Sequence, residues 1–296
     1  MQEPGGSELS QQRTINQHFE ASSGYWKNVY LQDEVEAAIY QTRHRVAVRW
    51  IDELELSPGS RVLDLGCGAG FLSAELVARG YTVCALDSVR SMIDATRETV
   101  RQDSSGTLSV ALGDAHQLPC ASGVFDLVVA LGLFPWLHSE QRALAEIVRT
   151  LKPNGFLILS ADNKLRLNRL IDPRINPIWD GLRNTLKPVL SRLGYRNNGS
   201  SVYGRMHYPA EVDQLIGASG LSKAKAASIG FGPFSFFGSK VLPTSVGSNL
   251  NKTLQRLADR GFPIVSSTGS HYLLLCRKTV KANQNDKSRS KSGSYH

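Results

Sequence analysis

The sequence has little cysteine, four in 296 residues at positions 67, 84, 120 and 276, and no pair is spaced C-x-x-C. Such scattered thiols provide neither a zinc knuckle nor a disulfide framework, so free thiols in a reducing cytosol are expected. No run reaches the eighteen apolar residues that a membrane-spanning helix requires. The first residues, MQEPGGSELSQQ, lack the apolar core of a secretory signal, which adds to the cytoplasmic expectation. Seven histidines include no H-x-x-x-H beside an acid, so no metal centre is expected.

Positive charge is present, but not throughout. The formal net charge is +8, and residues 162–207 hold nine Lys and Arg against three acids. The stretch from Lys281 adds four basic residues against Asp286 alone. What remains is close to neutral. A uniformly basic nucleic-acid binder is therefore not expected; the pattern is a neutral core with one basic insertion and one basic tail.

The chain is organised around Val62–Gly70, VLDLGCGAG. An apolar run carrying Asp64 breaks into Gly66, Gly68 and Gly70, and from Phe71 the pattern becomes helical until Gly80. Strand, glycine turn and helix bring backbone and a helix start close to a ligand. A dinucleotide fingerprint has the spacing G-x-G-x-x-G, whereas this loop is one residue shorter, G-x-G-x-G. A second apolar run, Tyr81–Leu86, ends in Asp87, whose two oxygens suit the two hydroxyls of a ribose. An N-cap for the following helix is the plainer alternative for this acid. A third short strand leads to Gly113-Asp114-Ala115, and Phe125–Ala130, FDLVVA, is apolar enough for a strand buried on both faces.

The glycine loop resembles the first motif of class I S-adenosylmethionine-dependent methyltransferases, and the order GDA, LP, FDLVV matches that family motif for motif. The resemblance is strong over about residues 60–160. It implies a Rossmann-like α/β fold: a doubly wound, seven-stranded, mostly parallel sheet whose last strand is antiparallel. It also implies S-adenosylmethionine as cofactor and a small-molecule acceptor. Asp64, Gly66, Cys67, Gly68 and Gly70 then hold the methionine end, Asp87 and Ser88 the ribose, and Met92, Asp114 and Ala115 the adenine. The backbone near Leu131 faces the amino acid end. Phe134 and Trp136 point to the acceptor, with His138 the candidate general base, since histidine titrates near neutral pH. His138 capping or packing under the next helix is the alternative. Asn154 stands where the family usually has glycine, and asparagine tolerates the left-handed conformation.

Residues 1–13 read as a disordered leader, 14–280 as the methyltransferase domain and 281–296 as a disordered basic tail. Tyr25, Trp26 and Tyr30 either anchor the N-terminal segment or wall the pocket, where aromatic faces suit a sulfonium. Residues 162–207 read as a basic helical lid. Its basic face suits an anionic acceptor or a peripheral contact with an anionic membrane, and a solvated face over the core is the third reading. Phe231, Phe234, Phe236 and Phe237 are candidates for the far wall. The expected reaction is in-line methyl transfer to O, C or N of an apolar or aromatic metabolite. A NAD(P)-dependent oxidoreductase is disfavoured by the loop spacing and by the lack of a Tyr-x-x-x-Lys pair. A catalytically silent S-adenosylmethionine-binding protein is the non-enzyme alternative.

Overall fold

A computed structural model describes residues 4–29, 34–100, 105–172, 204–236 and 239–279, together with Asn176, Gly181 and Thr185. Its centre is a seven-stranded sheet built from β1 (Arg61–Leu65), β2 (Thr82–Asp87), β3 (Thr107–Leu112), β4 (Phe125–Ala130), β5 (Leu151–Asp162), β6 (Leu221–Ile229) and β7 (His271–Lys278). The strand order is β3-β2-β1-β4-β5-β7-β6. The first five strands pair in parallel, and β7 pairs antiparallel with both β5 and β6, which leaves β6 parallel to the rest. The order reverses between β1 and β4. That reversal opens a crevice beyond the strands' carboxyl ends, the usual ligand position in an open α/β sheet.

Two-residue periodicity sends alternate side chains of the central strands into separate layers. Leu63, Leu65, Val128, Ala130, Leu157 and Leu159 pack on one face, with Ala143, Leu144 and Ile147 of α6 (Glu140–Thr150). Val62, Leu127, Val129 and Ile158 pack on the other. There they meet Ala47, Trp50 and Ile51 of α3 (Val35–Glu53) and Leu72, Leu76 and Val77 of α4 (Phe71–Ala78). Both faces of β1 and β4 are covered, which explains their near-continuous apolar sequences.

Several expectations are corrected in detail. Residues 4–13, expected as a disordered leader, lie in helix α1 (Pro4–Ala21), which α2 (Ser23–Asn28) follows. Strand β5 starts at Leu151 and continues to Asp162, longer at both ends than its apolar run Phe156–Ser160, because ladder pairing does not depend on side-chain hydrophobicity. Asn154 has φ 65°, as the glycine-like position requires. The basic insertion contributes the end of β5, α7 (Leu167–Ile171) and the return segment 204–207; most of residues 173–203 and the tail from 281 fall outside the described residues. The remaining helices are α5 (Arg90–Thr99), α8 (Pro209–Ala218) and α9 (Thr244–Asp259). No helix among the described residues is long and apolar enough to cross a membrane.

Candidate functional site

One cavity of about 200 Å³ runs along the carboxyl edge of the sheet, with Asp114 beyond β3 and His271 on β7 both in its lining. The glycine loop enters it between β1 and α4. Gly66, Gly68 and Gly70 have φ of 73°, 55° and 82°, a region most residues avoid. Their tasks differ. A Cβ at Gly70 would fall 2.7 Å from the Thr96 Cα, so Gly70 packs α4 against α5 and is absent from the cavity lining. A Cβ at Gly68 would meet nothing within 4 Å and would stand in open space.

The loop amides are spent internally. Gly66 and Cys67 N–H donate to the Leu86 carbonyl at 2.7 and 3.1 Å, and Gly68 N–H donates to Asp87 Oδ2 at 3.0 Å. Those amides are therefore engaged within the fold, and what the loop offers the cavity is close backbone approach. Asp64 is buried on the α4 side and accepts from Ser73 Oγ at 2.6 Å. Burial, with Asp87 nearby, pushes its carboxyl up to about 7 against the Ser73 hydrogen bond. Burial also drives the Cys67 thiol upward, so it is no thiolate nucleophile.

Asp87 accepts from Gly68 N–H with one oxygen and from Val89 N–H with the other at 2.9 Å. Each oxygen has a second lone pair for a ligand hydroxyl. Burial raises its pKa, against these backbone bonds. Ser88, Met92, Ala115 and Leu131 join it in the lining. At the far end Asp114 Oδ1 accepts from His116 N–H at 2.9 Å and pairs with His116 Nδ1 at 2.7 Å. Burial alone would raise the Asp114 carboxyl, but these bonds outweigh it and hold it low.

His138 is not where the acceptor reading put it. Its ring stacks on His116 with centroids 3.5 Å apart, outside the cavity lining, at the Asp114 end. Ligating atoms of Asp114, His116 and His138 lie within 4.8 Å of one another, a set able to hold a metal ion. Both ring nitrogens of His116 are already engaged, however, one by Asp114 and the other by Ser139 N–H at 3.3 Å.

Aromatic residues also line the cavity, among them Trp26, Phe19 and Trp136, the last two meeting edge-on at 4.9 Å. Phe134 does not join them: it is fully buried in the core, because its 3₁₀ turn directs it inward against His207. Tyr25 is exposed and outside the lining, and Tyr30 falls outside the described residues. Phe231 is core, Phe234 lines a small separate pocket, Phe236 is exposed, and Phe237 is outside the described residues.

Among the polar lining residues that escaped the sequence reading are Arg43, Asp162 and His271. Asp162 ends β5 and His271 begins β7. Because β7 runs antiparallel, its first residue lands at the same sheet edge where β5 finishes, and the two are register partners. Arg43 comes from α3, where Tyr40, Arg43, Ala47, Trp50 and Ile51 share the core-facing side. Its guanidinium lies against Gly132, where a Cβ would come within 2.9 Å of Nη1. The only available signals were an acid at a strand end and the expectation of an antiparallel last strand.

Residues 63–159 match the family described as methyltransferase domain. Nocamycin O-methyltransferase from Saccharothrix syringae is 38% identical over 116 residues, covering 37% of this chain and 40% of that one. This chain thus spans about two fifths of that curated relative's length. Among solved structures, magnesium protoporphyrin IX methyltransferase from Synechocystis, with bound SAH, aligns with TM-score 0.57 and 18% identity over 91% of this chain and 100% of its own. The [4+2]-cyclase SpnF aligns with TM-score 0.55 and 16% identity, covering 90% of this chain and 96% of SpnF. These likenesses establish the class I methyltransferase fold.

Proposed function

We propose that this chain, whose residues 63–159 form a methyltransferase domain, transfers the methyl group of S-adenosylmethionine to a small apolar or aromatic metabolite. One observation carries the reading. A single cavity is lined by Gly66–Gly68, Asp87, Met92 and Asp114 together with Trp26, Tyr40 and Trp136. The residues fit a nucleoside sulfonium. Gly68 leaves open space where a side chain would stand, Asp87 keeps a lone pair on each oxygen for ribose hydroxyls, and Asp114 is a charged acceptor suited to an exocyclic amino group.

When bound, the cofactor supplies an already activated methyl group. The chain's task is then alignment of the acceptor and exclusion of water. Trp26, Phe19 and Trp136 supply apolar faces that hold an aromatic acceptor and favour a nearby cation. Met92 offers an apolar surface beside Asp87 and Asp114, suited to a base ring. The basic segment 162–207 is proposed as the roof; an anionic membrane is the competing contact for it.

Calorimetry with S-adenosylmethionine and with NAD tests the cofactor. Binding of NAD alone would remove the reading. Release of S-adenosylhomocysteine with a panel of phenols, enols and carboxylic acids tests turnover. Binding without release would favour the silent-binder reading.

A further inference from the structure

At the acceptor end, Asp162 and His271 face one another across the β5–β7 pairing, with Asp162 Oδ1 3.0 Å from His271 Nδ1. Both line the cavity. An ionised carboxylate only accepts, so Nδ1 carries the proton in this bond and Nε2 keeps its lone pair. The Tyr40 ring lies 5.7 Å from the imidazole, centroid to centroid. Arg43 lies over Tyr40 at 5.1 Å.

Arg43 is the second, independent observation. It is 5% exposed. Among the described residues its Nε has no hydrogen-bond partner, and its guanidinium has no carboxylate within ion-pair distance. Its charge is felt by Asp162, whose carboxyl it helps hold low from beyond ion-pair distance, so the guanidinium is left without a direct anionic partner among the described residues. The fold nevertheless makes room for it, by placing Gly132 at φ 79° under the guanidinium.

Strand order gives these groups their place. The sheet edge runs from Asp114 beyond β3, through Asp87 and the glycine loop at β2 and β1, to Leu131 beyond β4, then to Asp162 and His271. At ~4.8 Å between strands, β5 and β7 lie about 10 and 14 Å from β1. A nucleoside laid over β3 and β2 with its sulfur end at β1 and β4 therefore directs its methyl toward the β5–β7 side.

We propose that His271, oriented by Asp162, is the proton acceptor for a weakly acidic hydroxyl, phenol or enol, and that Arg43 stabilises the resulting oxygen anion. This rests on the methyltransferase reading and names the acceptor class for it. The hydroxyl proton passes to His271 Nε2, the oxygen lone pair forms the O–CH₃ bond, and the C–S⁺ electron pair goes to sulfur. The imidazolium then returns its proton to water. Asp162 acts through His271 and is a positioning residue.

The groups facing the imidazole are consistent with this role. Burial alone would raise Asp162, but the His271 hydrogen bond and the charges of His271, Arg43 and Arg166 hold it low. Burial lowers His271, against the hydrogen bond and charge of Asp162 that raise it. The negative charge of the pair thus sits on the carboxylate, with the imidazole neutral at neutral pH.

The test begins with calorimetry of S-adenosylhomocysteine, whose failure would end the underlying reading before the proposal is reached. The loaded protein is then titrated with 4-nitrophenol below that phenol's own pKa, and phenolate absorbance is followed. The wild type is expected to bind it as phenolate, and His271→Gln to lose at least about tenfold of that signal while keeping its thermal transition and S-adenosylhomocysteine affinity. In Asp162→Asn, imidazole ¹⁵N NMR should show His271 leaving the single Nδ1–H tautomer. A wild type that binds only neutral phenol or none, or a His271→Gln protein that still ionises it, would overturn the proposal. Arg43→Met should lose the phenolate signal with S-adenosylhomocysteine affinity kept. Loss of that affinity instead would assign Arg43 to the cofactor carboxylate and overturn its part.

Discussion

The Gly68 amide donates to Asp87 Oδ2 at 3.0 Å, so the glycine loop after β1 is tied directly to the acid that ends β2. The same carboxylate that keeps a lone pair on each oxygen toward the cavity also fixes the shape of the loop beside it. Asp87→Ala should therefore cost cofactor affinity twice, through lost ligand bonds and through a loosened loop. Hydrogen bonds to a charged group contribute roughly 1.5–3 kcal/mol, which converts to about a 10- to 150-fold weaker Kd for S-adenosylmethionine by calorimetry. Unchanged affinity would remove Asp87 from the site.

Gly68 and Gly70 should separate binding from folding. Gly70→Ala places a methyl 2.7 Å from the Thr96 Cα at φ 82°, so backbone strain and overpacking act together. A loss of about 2–4 kcal/mol in urea unfolding is expected. At Gly68 a Cβ has nothing within 4 Å, so Gly68→Val should cost about 1–2 kcal/mol, chiefly from its φ of 55°, yet abolish cofactor binding. Equal destabilisation by the two would contradict this division.

The Gly66–Asp87–Asp114 end of the cavity was legible because its signals are local: a glycine spacing, an acid at a strand end, and GDA before a turn. Those residues reach the cavity through short chain segments. The Asp162–His271 corner was not, because the two residues are 109 positions apart and meet only through an antiparallel pairing. Arg43 was hidden for a different reason: an arginine between charged helix residues reads as solvent-facing until the core-facing side of α3 is known. His138 and Phe134 were misplaced because a 3₁₀ turn redirects side chains that strand or helix periodicity cannot track.

Asp64 makes stability and binding depend on pH near neutrality. Its carboxyl is pushed up to about 7 in the folded chain, above the ordinary aspartate value of about 3.9. A raised pKa means the folded state holds its proton more tightly than the unfolded one. The resulting stability is fully present below about pH 4 and is lost as pH rises through about 7. Asp64→Asn should be as stable as wild type at pH 4 and have the higher Tm at pH 8. Binding a cationic ligand beside Asp64 should release a proton, seen as a buffer-dependent calorimetric enthalpy near pH 7. An enthalpy independent of buffer would show that Asp64 does not sense the ligand.

Arg43 should trade stability against function. In the ligand-free chain it is a buried guanidinium that lies over Tyr40 without a hydrogen bond at Nε. Methionine has similar reach, carries no charge and fits an apolar environment, so the substitution removes the desolvation cost of the guanidinium while Asp162 keeps its hydrogen bond to His271. Arg43→Met should therefore raise the ligand-free Tm by several degrees, at about 2–4 °C per kcal/mol for a chain of this size class. The same substitution should abolish methyl transfer, since the oxygen anion loses its only nearby buried cation from α3. A lower Tm would mean that the guanidinium is satisfied in the folded protein and that its burial is structural.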